Sequence, residues 1–300
     1  MDQEGLLEIV AQSLKAAWDT VPESFFVHSL HAYFILACHV EIPVIYSVQC
    51  IRDGKSFATR IVKATQRGKV IYVCSCSFAK PMKGVSLNHQ STMPNVADPD
   101  TLPSDAKLLQ HALANTVVEK FPEKFIKKAY KRLEEDQPID YRAVIQYTPE
   151  EIITGNVKPN AYNQRWFKTR GSLNDDMKLH ACIIAYASDS GFLNTAATAN
   201  GLSYNSESIG MMTSLDHTIW FHAPTRVDEW LLYDIYSPRT NDGRGVAFGR
   251  IYSRDGTLVA TTAQEGVIRL SEHEQKRHEK KLFARIPTTS SSSSSSSSKL

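Results

Sequence analysis

The chain reads as an α+β protein built from two copies of one unit, a helix followed by antiparallel strands that wrap it. Three observations lead there. A helical apolar pattern at residues 5–20 is followed by apolar and β-branched runs at 25–37, 43–52, 56–65 and 69–79. A second apolar helical stretch, from Asp175 to Thr195, is followed by runs at 211–222, 228–238, 245–253 and 257–264. Short motifs also recur in the same order. Ser29-Leu30-His31 before Tyr33-Phe34 echoes Ser214-Leu215-Asp216-His217 before Trp220-Phe221, and G-K-S-F-A-T-R-I echoes G-R-G-V-A-F-G-R-I. A repeat of well over 100 residues means a duplicated domain rather than a solenoid.

Taken in order, Leu6, Ile9, Val10, Leu14, Ala17 and Trp18 fall at helical spacing, and Pro22 ends that helix. Two turns, R-D-G-K at 52–55 and Q-R-G-K at 66–69, use Gly where the backbone reverses between strands. Residues 80–105 are rich in Pro, Asn, Ser and Asp and read as a linker. Helical character resumes over 104–135, with Ser104 as N-cap. The mixed charge of its second half, E-K-F-I-K-K-A-Y-K-R-L-E-E-D, reads as a solvated face. Residues 139–147 and 161–170 read as strands ahead of the second helix. The boundaries that follow are 1–80 for the first repeat, 81–138 for a linker with a helical segment and 139–270 for the second repeat. Residues 271–300 hold a charged helix, a poly-Ser spacer and a terminal tripeptide.

Composition excludes more than it assigns. The 300 residues are 42% hydrophobic and 22% charged, enough for one large domain or two smaller ones. A net charge of +2, with Lys and Arg scattered among acids, gives no footprint for nucleic acid. The five cysteines are sparse and odd in number, which fits a reducing compartment. Cys74 and Cys76 alternate with Ser75 and Ser77, the pattern of a strand with two thiols on one face rather than of a metal site. No apolar run approaches the ~20 residues needed to span a bilayer, and the acidic start M-D-Q-E-G does not resemble a signal peptide.

The chemistry-bearing candidates lie in three stretches of the second half. T-S-L-D-H-T-I-W-F-H (213–222) passes from hydroxyls and charge into a bulky apolar run. Y-A-S-D (186–189) closes the second helix, and A-Q-E-G (263–266) closes a late strand. An acid (Asp189), a hydroxyl (Ser214) and an amide (Gln264) are thus set at the ends of three separate elements. Taken singly, each has an ordinary reading as a cap, a turn residue or an exposed strand residue. His217 invites a Ser-His-Asp reading, but the chain has no G-x-S-x-G elbow. His217 and Asp216 read as supports for the strand, with His28 and His31 their counterparts in the first repeat.

Seven ordered motifs carry a family resemblance: V-H-S-L-H-A-Y-F (27–34), R-D-G-K-S-F (52–57), H-Q-S-T-M-P (89–94), Y-A-S-D (186–189), S-L-D-H-T-I-W-F-H (214–222), D-E-W-L-L-Y (228–233) and Q-E-G-V-I-R (264–269). Together they resemble the acyl-CoA thioesterase II family, of bacterial and peroxisomal type, from about residue 5 to residue 270. The resemblance implies two fused hotdog folds and hydrolysis of fatty acyl-CoA to free acid and coenzyme A, with no metal or redox cofactor. It sets the family's catalytic acid on Asp189, its hydroxyl on Ser214 and its amide on Gln264. A thioester has a good thiolate leaving group, so a positioned water can attack it directly. Asp189 then takes the water's proton, Ser214 and Gln264 fix the water, and a backbone N–H at a helix end is the natural stabiliser of the oxyanion. Two alternatives stand beside this. A hotdog enoyl-CoA hydratase or dehydratase wants an Asp-His pair on the helix, and the nearest histidine to Asp189 is His180, too far up to share its face. A degenerate, non-catalytic acyl-CoA-binding protein is the other.

The sequence departs from the family pattern at its start. Members carry some tens of further residues there, with a first strand and a Gly-Gly-Gln entry into the helix, and Cys38-His39 stands where they have Gly-Asp. The resemblance therefore implies a first repeat short of a strand, with Leu6, Leu7, Ile9, Val10, Leu14 and Trp18 partly uncovered and self-association into a homo-oligomer through that patch. At the other end, residues 290–298 are uninterrupted Ser, a flexible spacer that presents Ser298-Lys299-Leu300. That tripeptide at a free C-terminus is the address read by a peroxisomal import receptor, which gives the peroxisome as the expected compartment.

Overall fold

A computed structural model describes residues 3–115, 121, 123–135 and 137–283. Helix α1 (Gln3–Trp18) leads into β1 (Phe26–Phe34), β2 (Ile45–Asp53), β3 (Phe57–Gln66) and β4 (Lys69–Ala79). A 3₁₀ turn at Pro99–Thr101, α2 (Asp105–Asn115) and α3 (Glu123–Glu134) follow. The second half runs β5 (Ile139–Ala143), α4 (Pro149–Thr154), β6 (Tyr162–Thr169), α5 (Met177–Asp189), α6 (Asn194–Thr198), β7 (Ile209–Ser214), β8 (Asp216–Phe221), β9 (Leu231–Asn241), β10 (Arg244–Ser253), β11 (Leu258–Leu270) and α7 (Glu272–Phe283).

All strands join one antiparallel sheet in the order β2-β3-β4-β1-β8-β11-β10-β9-β6-β5, with β7 added to β11. The two repeats meet at β1 and β8, where His31 faces Thr218 and Tyr33 faces Asp216. Counting outward from that seam, β4, β3 and β2 correspond to β11, β10 and β9. On one face α1 and α5 pack side by side. The core between them and the sheet takes Val10, Leu14 and Trp18 from α1, Ile184 and Ala185 from α5, and Leu30, Val62, Phe78, Ile219, Tyr233 and Ile251 from the strands. These strand residues lie on the inward-facing alternation that one buried face demands.

The helix cover expected to be missing is present. Ile9, Val10, Leu14 and Trp18 are each 2% exposed or less. The reason is that α5 of the other repeat lies along α1 and supplies the surface that a count of the first repeat's own strands leaves out. The side chains of Leu6 and Leu7 lie outside the described set. The edge of the sheet is less complete than its core: among the described residues β2 pairs with β3 alone, whereas its counterpart β9 pairs with both β10 and β6.

The linker is tied to the second repeat. Met93, Val96 and Leu102 pack on Trp166, Trp230, Leu232 and Tyr252, which point away from the helices. Trp166 Nε1 donates to Ala97 O at 2.9 Å, and Gln90 bridges Gly256 O and the Leu258 amide at 2.8 and 3.0 Å. This cover explains the unbroken apolar run Trp230–Leu231–Leu232–Tyr233: β9 is buried on both faces, so it does not alternate. Residues α2, α3 and α4 contribute to a small core of their own, Leu109, Ala112, Leu113, Ile126, Ala129 and Ile153.

Elsewhere the structure refines the expected elements. Within the helical stretch 104–135 the described residues form α2 and α3. Helix α4 was not expected, although Thr148-Pro149-Glu150-Glu151 forms a capping box with Pro at its first turn, and Gly155 closes it at φ +68°. The Q-R-G-K turn has Arg67 at φ +49° and Gly68 at φ +75°, the two left-handed residues of a tight hairpin turn. The run 211–222 breaks at Leu215 into β7 and β8, and β11 continues six residues past the expected end at 264. The poly-Ser spacer and Ser298-Lys299-Leu300 lie outside the described residues.

Candidate active site

Three elements bring the sequence candidates together. Asp189 is the last residue of α5, which Asp176 caps at its other end by accepting from the Lys178 amide at 3.0 Å. Ser214 ends β7 at the break where the chain turns into β8. Gln264 is on β11, and not at its end as the sequence suggested but at its middle, opposite Ala247 of β10. The chain breaks at Leu215 because β11 has two neighbours on that side: its first half, Ala260–Ala263, pairs with β8 and its last residues, Gly266–Leu270, with β7. Ser214 thereby swings over the strand that carries Gln264.

Gln264 Nε2 donates to Asp189 Oδ1 at 2.7 Å and to the Ser214 hydroxyl, and Ser214 Oγ donates to the same Asp189 oxygen at 3.4 Å. Gln264 is 1% exposed and Asp189 8%, with Ser214 partly open. A buried polar group without a partner costs roughly 1–3 kcal/mol. These three instead satisfy one another, while Asp189 Oδ2 accepts no hydrogen bond from the described residues. The end of α5 at the site is its C-terminus, which presents carbonyls, so the N–H expected at a helix end does not come from α5. One of those carbonyls, Ser190 O, accepts from Arg165 of β6, whose guanidinium also covers the Tyr141 ring at 4.6 Å.

A wider ring of residues holds the trio. His217 Nδ1 lies 3.1 Å from Gln264 Oε1, and its Nε2 lies 2.9 Å from Ser188 Oγ. Tyr233 Oη donates to Ser188 O at 2.8 Å and contacts Thr262 Oγ1 at 2.8 Å. Phe192 stacks on Tyr233 and turns its edge to the His217 ring. Close approach of the 192–193 segment to the sheet requires glycine: a Cβ at Gly249 would overlap Tyr233 and Thr262, and one at Gly266 would overlap Leu193. Burial pushes the pKa of His217 below 6.5 and that of Tyr233 above 10. Ser188, Phe192 and Tyr233 were not singled out from sequence, although Ser188 sits inside the Y-A-S-D motif and the Gly of Q-E-G is Gly266. Sequence alone could not show that His217 faces the amide rather than the core.

His180, the other histidine near this helix, is buried at its first turn, where its Nδ1 accepts from the Val227 amide at 3.1 Å and its Nε2 donates to Asn174 O at 2.9 Å. It is nine residues from Asp189, about 13 Å along an α-helix. Among the described residues no group of three His, Cys, Asp or Glu side chains is arranged to hold a metal ion, and no helix is long and apolar enough to cross a membrane.

Two antiparallel sheets, each wrapped on one helix and fused edge to edge through β1 and β8, make the double-hotdog fold, and the polar cluster marks its second half. A family model described as acyl-CoA thioesterase matches residues 133–267, and one described as acyl-CoA thioesterase N-terminal domain matches residues 9–79. The chain is 39% identical over 264 residues to acyl-coenzyme A thioesterase 8 of Mus musculus, covering 88% of this chain and 79% of that protein. It is 28% identical over 298 residues to peroxisomal acyl-coenzyme A thioester hydrolase 1 of Saccharomyces cerevisiae, covering 87% and 84%. The crystal structure of the acyl-CoA thioesterase II TesB2 of Mycobacterium marinum superposes with a TM-score of 0.70 at 33% identity, covering 90% and 91%. The chain belongs to the acyl-CoA thioesterase family, and is a thioester hydrolase of double-hotdog architecture.

Proposed function

We propose that the protein hydrolyses fatty acyl-CoA to free acid and coenzyme A by direct attack of a water held by Asp189, Ser214 and Gln264. The observation that carries this reading is the Gln264 amide, which is buried and bridges the Asp189 carboxylate and the partly open Ser214 hydroxyl. Asp189 Oδ2 is left to take a proton. In the step, the water oxygen bonds to the thioester carbonyl carbon as its proton passes to Asp189. The tetrahedral intermediate then expels the thiolate, and the proton leaves with coenzyme A. Holding water and carboxylate in line removes the entropic cost of bringing them together. The remoteness and full engagement of His180 speak against the hydratase alternative.

Release of coenzyme A from a fatty acyl-CoA, followed with a thiol reagent on the purified protein, tests this. A hydratase would add water to an enoyl-CoA and free no thiol, and a binding protein would do neither.

The division into repeats at 1–80 and 139–270, joined by 81–138, follows the helix-and-strand count on each side of the β1–β8 seam. The compartment proposed is the peroxisomal matrix, reached through recognition of Ser298-Lys299-Leu300 by an import receptor. The tripeptide supports this, as does similarity to a yeast protein named peroxisomal. A fluorescent fusion with the native C-terminus should be punctate and one lacking the three residues diffuse; equal distributions would remove the assignment.

A further inference from the structure

We propose that Ser188 and His217 are positioning residues, a hydrogen-bond chain that fixes which way the Gln264 amide points and so how Gln264 holds Asp189 and the attacking water. The inference rests on the proposed role of the Asp189–Ser214–Gln264 trio and extends it two residues inward.

The argument is one of counting hydrogens. The Asp189 carboxylate is an acceptor only, so the Gln264 NH₂ must face it, and the 2.7 Å contact is then a hydrogen bond. Gln264 Oε1 therefore faces His217 Nδ1 at 3.1 Å, and that nitrogen must carry the ring hydrogen. His217 Nε2 is left as an acceptor. The Ser188 hydroxyl is 2.9 Å from both Ala185 O and Nε2 and can donate to either; because a bare Nε2 has no other donor, the hydroxyl hydrogen is assigned to the imidazole. Every group in the chain has one consistent role, Ser188 to His217 to Gln264 to Asp189. Reversing the amide would set Oε1 against the carboxylate and the NH₂ against the N–H of the ring. Ser188 and His217 are fully buried and Gln264 is 1% exposed, so solvent cannot supply the missing partners.

The first repeat shows that the fold does not need this chain. In the β1–β8 seam, His31 and Thr218 face each other, and the residues one step before them are Leu30 and His217, so register sets Leu30 in the place of His217 and not His28 or His31 as the sequence motifs suggest. Leu30 faces Cys76 on β4, as His217 faces Gln264 on β11. The same architecture is thus filled with an apolar set in one half and a polar set in the other. Buried polar groups are costly unless fully paired, so a purely structural demand would be met by the apolar solution already present. The polar chain stands only where the acid stands.

Two measurements test this on the full-length protein. In ¹⁵N-labelled protein near pH 8, His217 should show the Nδ1–H tautomer with Nε2 bare; the Nε2–H tautomer would overturn the proposal whatever the activity. In the coenzyme A release assay, His217→Leu, which copies Leu30, should lower kcat by roughly 10²-fold, the scale of a small misplacement in a reacting site, with KM little changed. His217→Gln, which can both donate to Gln264 and accept from Ser188, should recover most of that loss. His217→Leu combined with Gln264→Ala should be no slower than Gln264→Ala alone. Full kcat in folded His217→Leu, or multiplicative losses in the double variant, would sink the inference. Should His217→Leu not fold, Ser188→Ala, with an expected loss of several-fold in kcat, carries the same comparison. Asp189→Asn in the same assay separates the two levels. An active Asp189→Asn refutes the trio, whereas an inactive Asp189→Asn beside a fully active His217→Leu refutes only the positioning chain.

Discussion

Gln264 donates to the Asp189 carboxylate across 75 residues of sequence, linking the middle of the last sheet strand to the final residue of α5. Neither residue is held there by its own element alone. The bend at Ser214 and the Leu193 side chain seated over Gly266 close the arrangement from the other side. Asp189 is the member whose loss should matter most. Asp189→Asn keeps the size and can still meet Gln264 with its amide oxygen, but it cannot take a proton. Turnover should fall by roughly 10²-fold or more, the range for a general base, with an unchanged melting temperature. Turnover within a few-fold of wild type would remove Asp189 from the chemistry.

Ser214 and Gln264 share one duty in this arrangement, since both contact Asp189 Oδ1 and each other. Ser214→Ala and Gln264→Ala should each depress kcat, Gln264→Ala more, because it also strands His217 Nδ1 and Asp189. Asp189→Asn combined with Gln264→Ala should cost less than the product of the two single losses, as expected for groups that act as a unit. Steady-state kinetics on the four proteins decides; a multiplicative result would assign the two residues to separate steps.

What was legible in the sequence was what local pattern can carry. The strands of the first repeat, the hairpin at Gly68 and the two long helices follow from period, Gly and Pro. Non-local packing was not legible. The α1 face was expected to be partly bare because sequence counts only neighbouring strands, and the cover comes from α5, more than 150 residues away. Likewise β9 looked like an ordinary strand, and its second buried face depends on residues 93–102 folding back over it. At the site, Asp189, Ser214 and Gln264 were visible as chemistry at three element ends. Ser188 was not, and His217 was legible only as a support for the strand, because a histidine's partner depends on strand register, and the register follows from the break at Leu215 that continuous apolar patterning concealed.

Gly249 should be intolerant of a side chain although its backbone is ordinary. It is opposite Thr262 on β11 and Ile235 on β9, and an added methyl would meet Tyr233, Thr262 and, at 2.9 Å, Phe192 Cε2. All three are fully buried, so none can move into solvent. Gly249→Ala should destabilise by about 1–3 kcal/mol, the usual cost of overpacking. It should also lower turnover, because Phe192 backs the His217 ring. Thermal melts check the first effect and kinetics the second; a melting temperature equal to wild type would mean that the 192–193 segment shifts freely, contrary to its packing.

Stability should fall on mild acidification, and His217 should account for part of the slope. The ring is fully buried, and burial holds its pKa below 6.5, outweighing Asp189, the Gln264 hydrogen bond and Asp216, which act in the opposite direction. Ser188 and the Phe192 ring complete its surroundings and carry no charge. The sign follows from proton uptake. Above 6.5 the ring is neutral in both states and contributes no pH dependence. As pH falls through 6.5 the unfolded chain binds a proton that the native ring refuses, so unfolding is favoured by at most about 1.4 kcal/mol per pH unit for this group. His28, His31 and His222 are also depressed by burial and add slope of the same sign. Melting curves for wild type and His217→Gln between pH 8 and 5 should therefore run in parallel above 6.5 and converge below it. Curves that stay parallel down to pH 5 would mean that His217 takes up its proton in the native state, which the Asp189 carboxylate nearby could then hold.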